Sequence, residues 1–148
     1  MINLTKNLEL QTTFAEFATA PPLRTLEGKI ERLNVSADTK ALLMDISRIT
    51  LNVGGKILAF GRMLLAFAFD LAVKFQNVAF GVIIALVLSA VLASIPLLGP
   101  AIAALLTPIM LAFGIARGAM QDFKEASLRS EIDALSQKMA IISAHAAL

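Results

Sequence analysis

Between Lys74 and Arg117 the chain runs through residues 75–116, 42 positions, without one charged side chain. The run is interrupted only at Ile95-Pro96-Leu97-Leu98-Gly99-Pro100, a composition that reads as a turn. A membrane helix needs about 20 apolar residues at about 1.5 Å each to cross about 30 Å of hydrocarbon. Residues 75–95 and 97–116 each just reach that length. The pattern predicts an all-α membrane protein built on a helical hairpin, two short transmembrane or re-entrant helices, flanked by amphipathic helices.

Composition agrees, because 57% of the 148 residues are hydrophobic and only 16% are charged, well to the apolar side of ordinary water-soluble domains. With the hairpin set aside, too little apolar sequence remains for a second core, so a single domain over 1–148 is expected. The 13 basic residues are scattered among 11 acidic ones. That leaves no concentrated basic face for nucleic acid. The absence of cysteine removes disulfides, thiolate metal sites and cysteine nucleophiles. Residues 1–20 carry Lys6, Glu9 and Glu16 and have no apolar centre, so they do not read as a secretory signal.

Two short helices are expected in 1–34. Leu4, Leu8, Phe14 and Phe17 allow the first, which Pro21-Pro22 ends. Pro22 opens the second, where Leu23, Leu26, Ile30 and Leu33 recur at helical spacing. Ser36 is a candidate N-cap for a helix starting near Ala37. From there a long amphipathic or interfacial helix is expected over 36–77. Projected at about 100° per residue, Lys40, Asp45, Arg48, Asn52, Lys56, Arg62, Asp70 and Lys74 share one face. The opposite face is apolar, and residues 57–73 could sink deeper into a bilayer than the first half. Gly54-Gly55 should kink or hinge this helix. Lys56, Arg62, Asp70 and Lys74 are its polar face or the lining of a pore.

In the C-terminal amphipathic segment, 117–148, Leu128, Ile132, Leu135, Met139 and Ile142 alternate in steps of four and three. They make a short heptad seam, for packing on the same chain or for self-association.

Within the hairpin region, 78–116, Gly81, Ala85, Ser89 and Ala93 form one stripe of small residues, and Ala104, Pro108, Ala112 and Ala116 form another. Folding about a turn at 95–100, carried by Pro96, Gly99 and Pro100, sets Gly81 opposite Ala116 and Ala93 opposite Ala104. Small residues permit the close helix approach that packing in lipid requires. The same stripes could join neighbouring copies in a homo-oligomer. Pro108 removes a mid-helix hydrogen bond and should kink the second helix. Basic residues lie on both sides of the hairpin while its turn has none, so both termini are expected on the cytoplasmic side of a membrane, of the bacterial inner-membrane type.

The chemistry of catalysis is missing. His145 is the only histidine, without a partner for a metal site or a nucleophile–base pair. No ionisable group sits within the apolar run to build a proton relay or an ion site. No enzyme activity, cofactor or small-molecule substrate is expected; the expected partners are the lipid bilayer and further copies of the chain.

The order of segments resembles that of two-span bacteriophage holins and of the hydrophobic hairpin in colicin-type pore formers, which implies permeabilisation by an assembly. Ser94-Ile95-Pro96 followed by Pro100 resembles the proline-rich hairpin turn of oleosins, which implies instead a membrane-shaping or anchoring scaffold. A third arrangement keeps the hairpin as the core of a soluble bundle, as a toxin or viral ejection component would, and inserts it on a trigger.

Overall fold

Proline and serine set the first two helices. The computed structural model describes residues 21–53, 56–76, 78–95, 98–113 and 126–145, so the helix expected over residues 5–19 lies outside them. Helix α1 spans Leu23–Glu31 behind Pro22, whose carbonyl accepts from the Thr25 amide at 3.0 Å. It buries Leu26 and Ile30. Helix α2 spans Ala37–Ser47, and the Ser36 hydroxyl oxygen accepts from the Thr39 amide at 3.1 Å, satisfying a first-turn donor that would otherwise lack a partner. The Lys40 ammonium donates to the Glu31 carbonyl at 2.8 Å. It thereby ties the start of α2 to the electronegative end of α1.

The long helix expected over 36–77 does not form. Strands β1 (Leu51–Val53) and β2 (Lys56–Leu58) pair antiparallel, with Leu51 opposite Leu58, Asn52 opposite Ile57 and Val53 opposite Lys56. Leu51 and Leu58 are buried while Asn52 and Ile57 are exposed, the two-residue alternation of a half-buried ribbon. Between the paired Val53 and Lys56 the sequence supplies Gly54-Gly55, a two-residue hairpin signature that outweighs helical periodicity. Projecting one helical phase across this stretch put Lys56 on a helix face it does not share.

Helix α3, Phe60–Lys74, buries Phe60, Gly61, Leu64, Leu65, Ala68 and Leu71. Its first turn lies against the end of α2: a Cβ built on Gly61 would stand 1.8 Å from the Ile46 carbonyl oxygen. The Gly61 amide donates to the Ile49 carbonyl at 2.8 Å. Glycine here lets two backbones meet with no side chain between them.

The apolar run becomes helices α4, Phe80–Ser94, and α5, Gly99–Ala112. At about 1.5 Å per residue they are about 22 and 21 Å long, short of the hydrocarbon thickness of about 30 Å. No helix among the described residues is long and apolar enough to cross a membrane. The spans expected over 75–95 and 97–116 are cut from both ends. Phe75 caps α3, its amide bonding to the Leu71 carbonyl, and Val78 closes a turn onto Phe75. Ile95 then ends α4 one residue before Pro96. Pro100 belongs to the first turn of α5, where its missing N–H costs nothing, and α5 continues through Pro108.

Helix α6, Ala126–His145, closes the bundle. The core centres on α4, which contacts α3, α5 and α6; α2 packs on α1, α3 and α5. Ile83, Ile84, Val87, Leu88 and Val91 of α4 have no exposed surface. Helices α3, α5 and α6 thus cover the most apolar segment of the chain, and the described fold is all-α apart from one short hairpin.

Candidate functional site

The hairpin of α4 and α5 is the part of the molecule whose chemistry is least like an ordinary surface. Phe113, just past the end of α5, packs against Gly81 at the start of α4, where a built Cβ would lie 2.5 Å from the Phe113 Cβ. The helices therefore run antiparallel along their length. Phe80 meets the Phe113 ring edge-on at 6.2 Å and stacks on Phe69 of α3 at 4.9 Å. Three aromatic rings, from α3, α4 and the residue after α5, pin this end of the hairpin, each such pair adding about 0.5–1.5 kcal/mol beyond area burial.

The small-residue stripes do not close face to face. Gly81 and Ala85 are buried, Ser89 is half-buried and Ala93 is exposed. On α5, Ala104 and Ala112 are exposed and Pro108 is half-buried, while Ala116 lies outside the described residues. The side chains α5 buries are Ile102 and Ile109, with Leu105, Leu106 and Phe113 packed partly against the core. Gly81 faces Phe113 where the register expected Ala116, a shift of nearly one turn. The physical reason is area: at about 25 cal/mol per Å², turning isoleucine, leucine and phenylalanine inward removes far more apolar surface from water than turning alanines inward. Of the expected turn, Gly99 and Pro100 belong to α5, and Pro96 lies outside the described residues.

With its bulky face inward, α5 presents Pro100, Ala101, Ala103, Ala104, Thr107, Leu111 and Ala112 outward. At about 100° per residue these cover roughly half the helix circumference. None carries a charge, and Leu111 is 76% exposed. A helix apolar all round is normally buried on every side; this one is buried on one side only.

Of the four residues expected to form a polar face or pore lining, Arg62, Asp70 and Lys74 share α3 and Lys56 does not. Lys56 belongs to β2. Arg62 donates to the Pro21 carbonyl at 3.3 Å, and Asp70 is exposed. Lys74 pairs with Glu131 of α6 at 2.5 Å, both partly exposed. Leu128, Ile132, Leu135 and Met139 are buried, and α6 contacts α4. The heptad seam is therefore used within the chain, which leaves these four side chains unavailable for self-association in this conformation. Among the described residues no group of acidic or histidine side chains could hold a metal ion, and no buried side-chain polar atom lacks a partner.

Sequence reasoning missed Gly61, Phe113 and Glu131. Gly61 and Phe113 act through close approach across the fold, for which no local signal exists; Glu131 sits 57 residues from the lysine it pairs with. No family model, curated protein or solved structure matches the chain.

Proposed function

We propose that the chain is a non-enzymatic, membrane-active protein that stores its apolar hairpin inside a helical bundle and delivers it to a bilayer, where several copies permeabilise the membrane. The observation that carries the reading is the placement of α4. An uncharged 15-residue helix with eight buried positions is enclosed by α3, α5 and α6, and α5 beside it keeps an uncharged outer half. A bundle that needed only a stable core would gain nothing from leaving that half of α5 free of charge, because exposed apolar patches favour association with lipid or protein. In lipid the helices gain what water denies them. The arrangement favours stored insertion over a permanently spanning hairpin, because helices of about 21 Å cross a bilayer only after lengthening, locally thinning the bilayer or assembling.

Opening would have to part α3 from α6, which lie on α4 and are joined by Lys74 and Glu131. This gives the test. A zero-length carbodiimide cross-link converts that ammonium–carboxylate contact into an amide and locks α3 to α6. Release of an encapsulated dye from liposomes is expected with the untreated protein and is expected to stop after cross-linking. The Glu131→Gln variant, treated identically, should still release dye. Equal leakage from the cross-linked and untreated proteins would refute delivery by opening. Sealed, tubulated vesicles would move the assignment to a membrane-shaping scaffold.

A further inference from the structure

A groove of about 330 Å³ lies where α1, the end of α2, β2 and the start of α3 meet, and its walls include Leu23, Arg48, Thr50, Ile57 and Arg62. Among the described residues that line this groove the charge is one-sided: two guanidinium groups and no carboxylate. Arg62 is half-buried, and its one hydrogen bond to a described residue is the 3.3 Å contact to the Pro21 carbonyl. Among the described residues, most of its five N–H donors have no partner. Arg48 pairs with Asp45 at 3.6 Å, but both side chains are more than half exposed, so the pair is weak and readily exchanged. Beside the two cations stands Ile57, 74% exposed on the outward face of β2. Paired guanidinium forks match phosphate oxygens, and an adjacent apolar side chain suits a phosphate that carries hydrocarbon.

We propose that this groove binds the phosphate of an anionic phospholipid headgroup, with Arg48 and Arg62 on its oxygens and Ile57 against the first acyl carbons. The site deepens the membrane reading by naming how the bundle first meets a bilayer, and it rests on that reading.

Sedimentation with sealed vesicles of phosphatidylglycerol and phosphatidylcholine, against phosphatidylcholine alone, tests it. Binding should require phosphatidylglycerol. The Arg48→Gln/Arg62→Gln variant should bind about thirtyfold more weakly, at about 1 kcal/mol per basic residue near an anionic surface. Thr50→Glu, which leaves both arginines in place and adds a carboxylate on an exposed wall, should also weaken binding. Arg129→Gln/Lys138→Gln removes the same net charge from α6, which does not line the groove, and should weaken binding less than the groove variant does. Unchanged thermal unfolding verifies that each variant is folded. Equal loss in both double variants, or unchanged binding in Thr50→Glu and the groove variant, would overturn the site. Binding of free glycerol phosphate as tight as that of vesicles would overturn its assignment to lipid. Dye release measured in parallel separates the two readings: a wild-type protein that binds without leakage refutes hairpin delivery and leaves the groove standing.

Discussion

Replacing Gly61 with alanine is the sharpest test of the packing. The added methyl would sit 1.8 Å from the Ile46 carbonyl oxygen, 2.9 Å from its carbon and 3.0 Å from the Ile49 nitrogen. A comfortable carbon–oxygen contact is about 3.3 Å, so the backbones must part by roughly 1.5 Å. All three obstacles are main-chain atoms, and no rotamer change relieves them. A gap of even 0.5–1 Å forfeits about a quarter to a half of each dispersion contact, and here it opens between Leu43 and Ile46 on α2 and Phe60 and Leu64 on α3, all fully buried. It also strains the 2.8 Å bond from Gly61 to Ile49. Overpacking with backbone shifts costs up to about 3 kcal/mol, against which alanine recovers about 1 kcal/mol of helix propensity. A net loss of about 2 kcal/mol lowers Tm by about 4–8 °C in a chain this size. Thermal unfolding followed by circular dichroism should show that drop. Gly28→Ala, where the nearest atom is the tip of Arg32 at 4.0 Å, should instead raise Tm by a few degrees through the same propensity of about 1 kcal/mol. A fall of less than about 2 °C for Gly61→Ala, under 1 kcal/mol at this size, would refute the close approach of α2 and α3.

Other substitutions separate the contributions. Leu88→Ala, in the middle of fully buried α4, should cost about 2–5 kcal/mol in denaturant unfolding, according to how far the site collapses. Ser36→Ala removes the α2 cap and should cost about 1 kcal/mol. Glu131→Gln breaks a partly exposed ion pair, so its effect on stability should stay within about 1 kcal/mol and fade with added salt. Leu111→Glu, at the most exposed leucine of α5, should change stability by less than about 0.5 kcal/mol yet lower dye release, because it places a charge on the face proposed to meet lipid.

Much of the layout is legible in the chain. The Ser36 cap, the proline-led start of α1, the apolar hairpin and the seam from Leu128 to Met139 all depend on neighbours within a few residues, where sequence periodicity carries the information. What sequence missed lies across distance. Helical phase was carried through residues 48–59 because isoleucine, leucine and valine fit either period, and only Gly54-Gly55 argued for a hairpin. The rotation of α5 is likewise a competition between two faces: small residues suit lipid and bulky ones suit a water-excluded core. The solvent, which no residue names, decides between them. The candidate site was visible as an uncharged segment but not as a half-covered one.

The place of α4 in the chain has a consequence in time. Its covering helix α6 begins at Ala126, 32 positions after α4 ends at Ser94, and must be completed before it can dock. Synthesis at about 5–20 residues per second leaves that flank of α4 uncovered for several seconds. During that interval the nascent chain offers its most apolar helix to whatever is nearest, so a chaperone or a nearby bilayer competes with folding. The surface proposed for delivery in the finished protein is a hazard in the growing one.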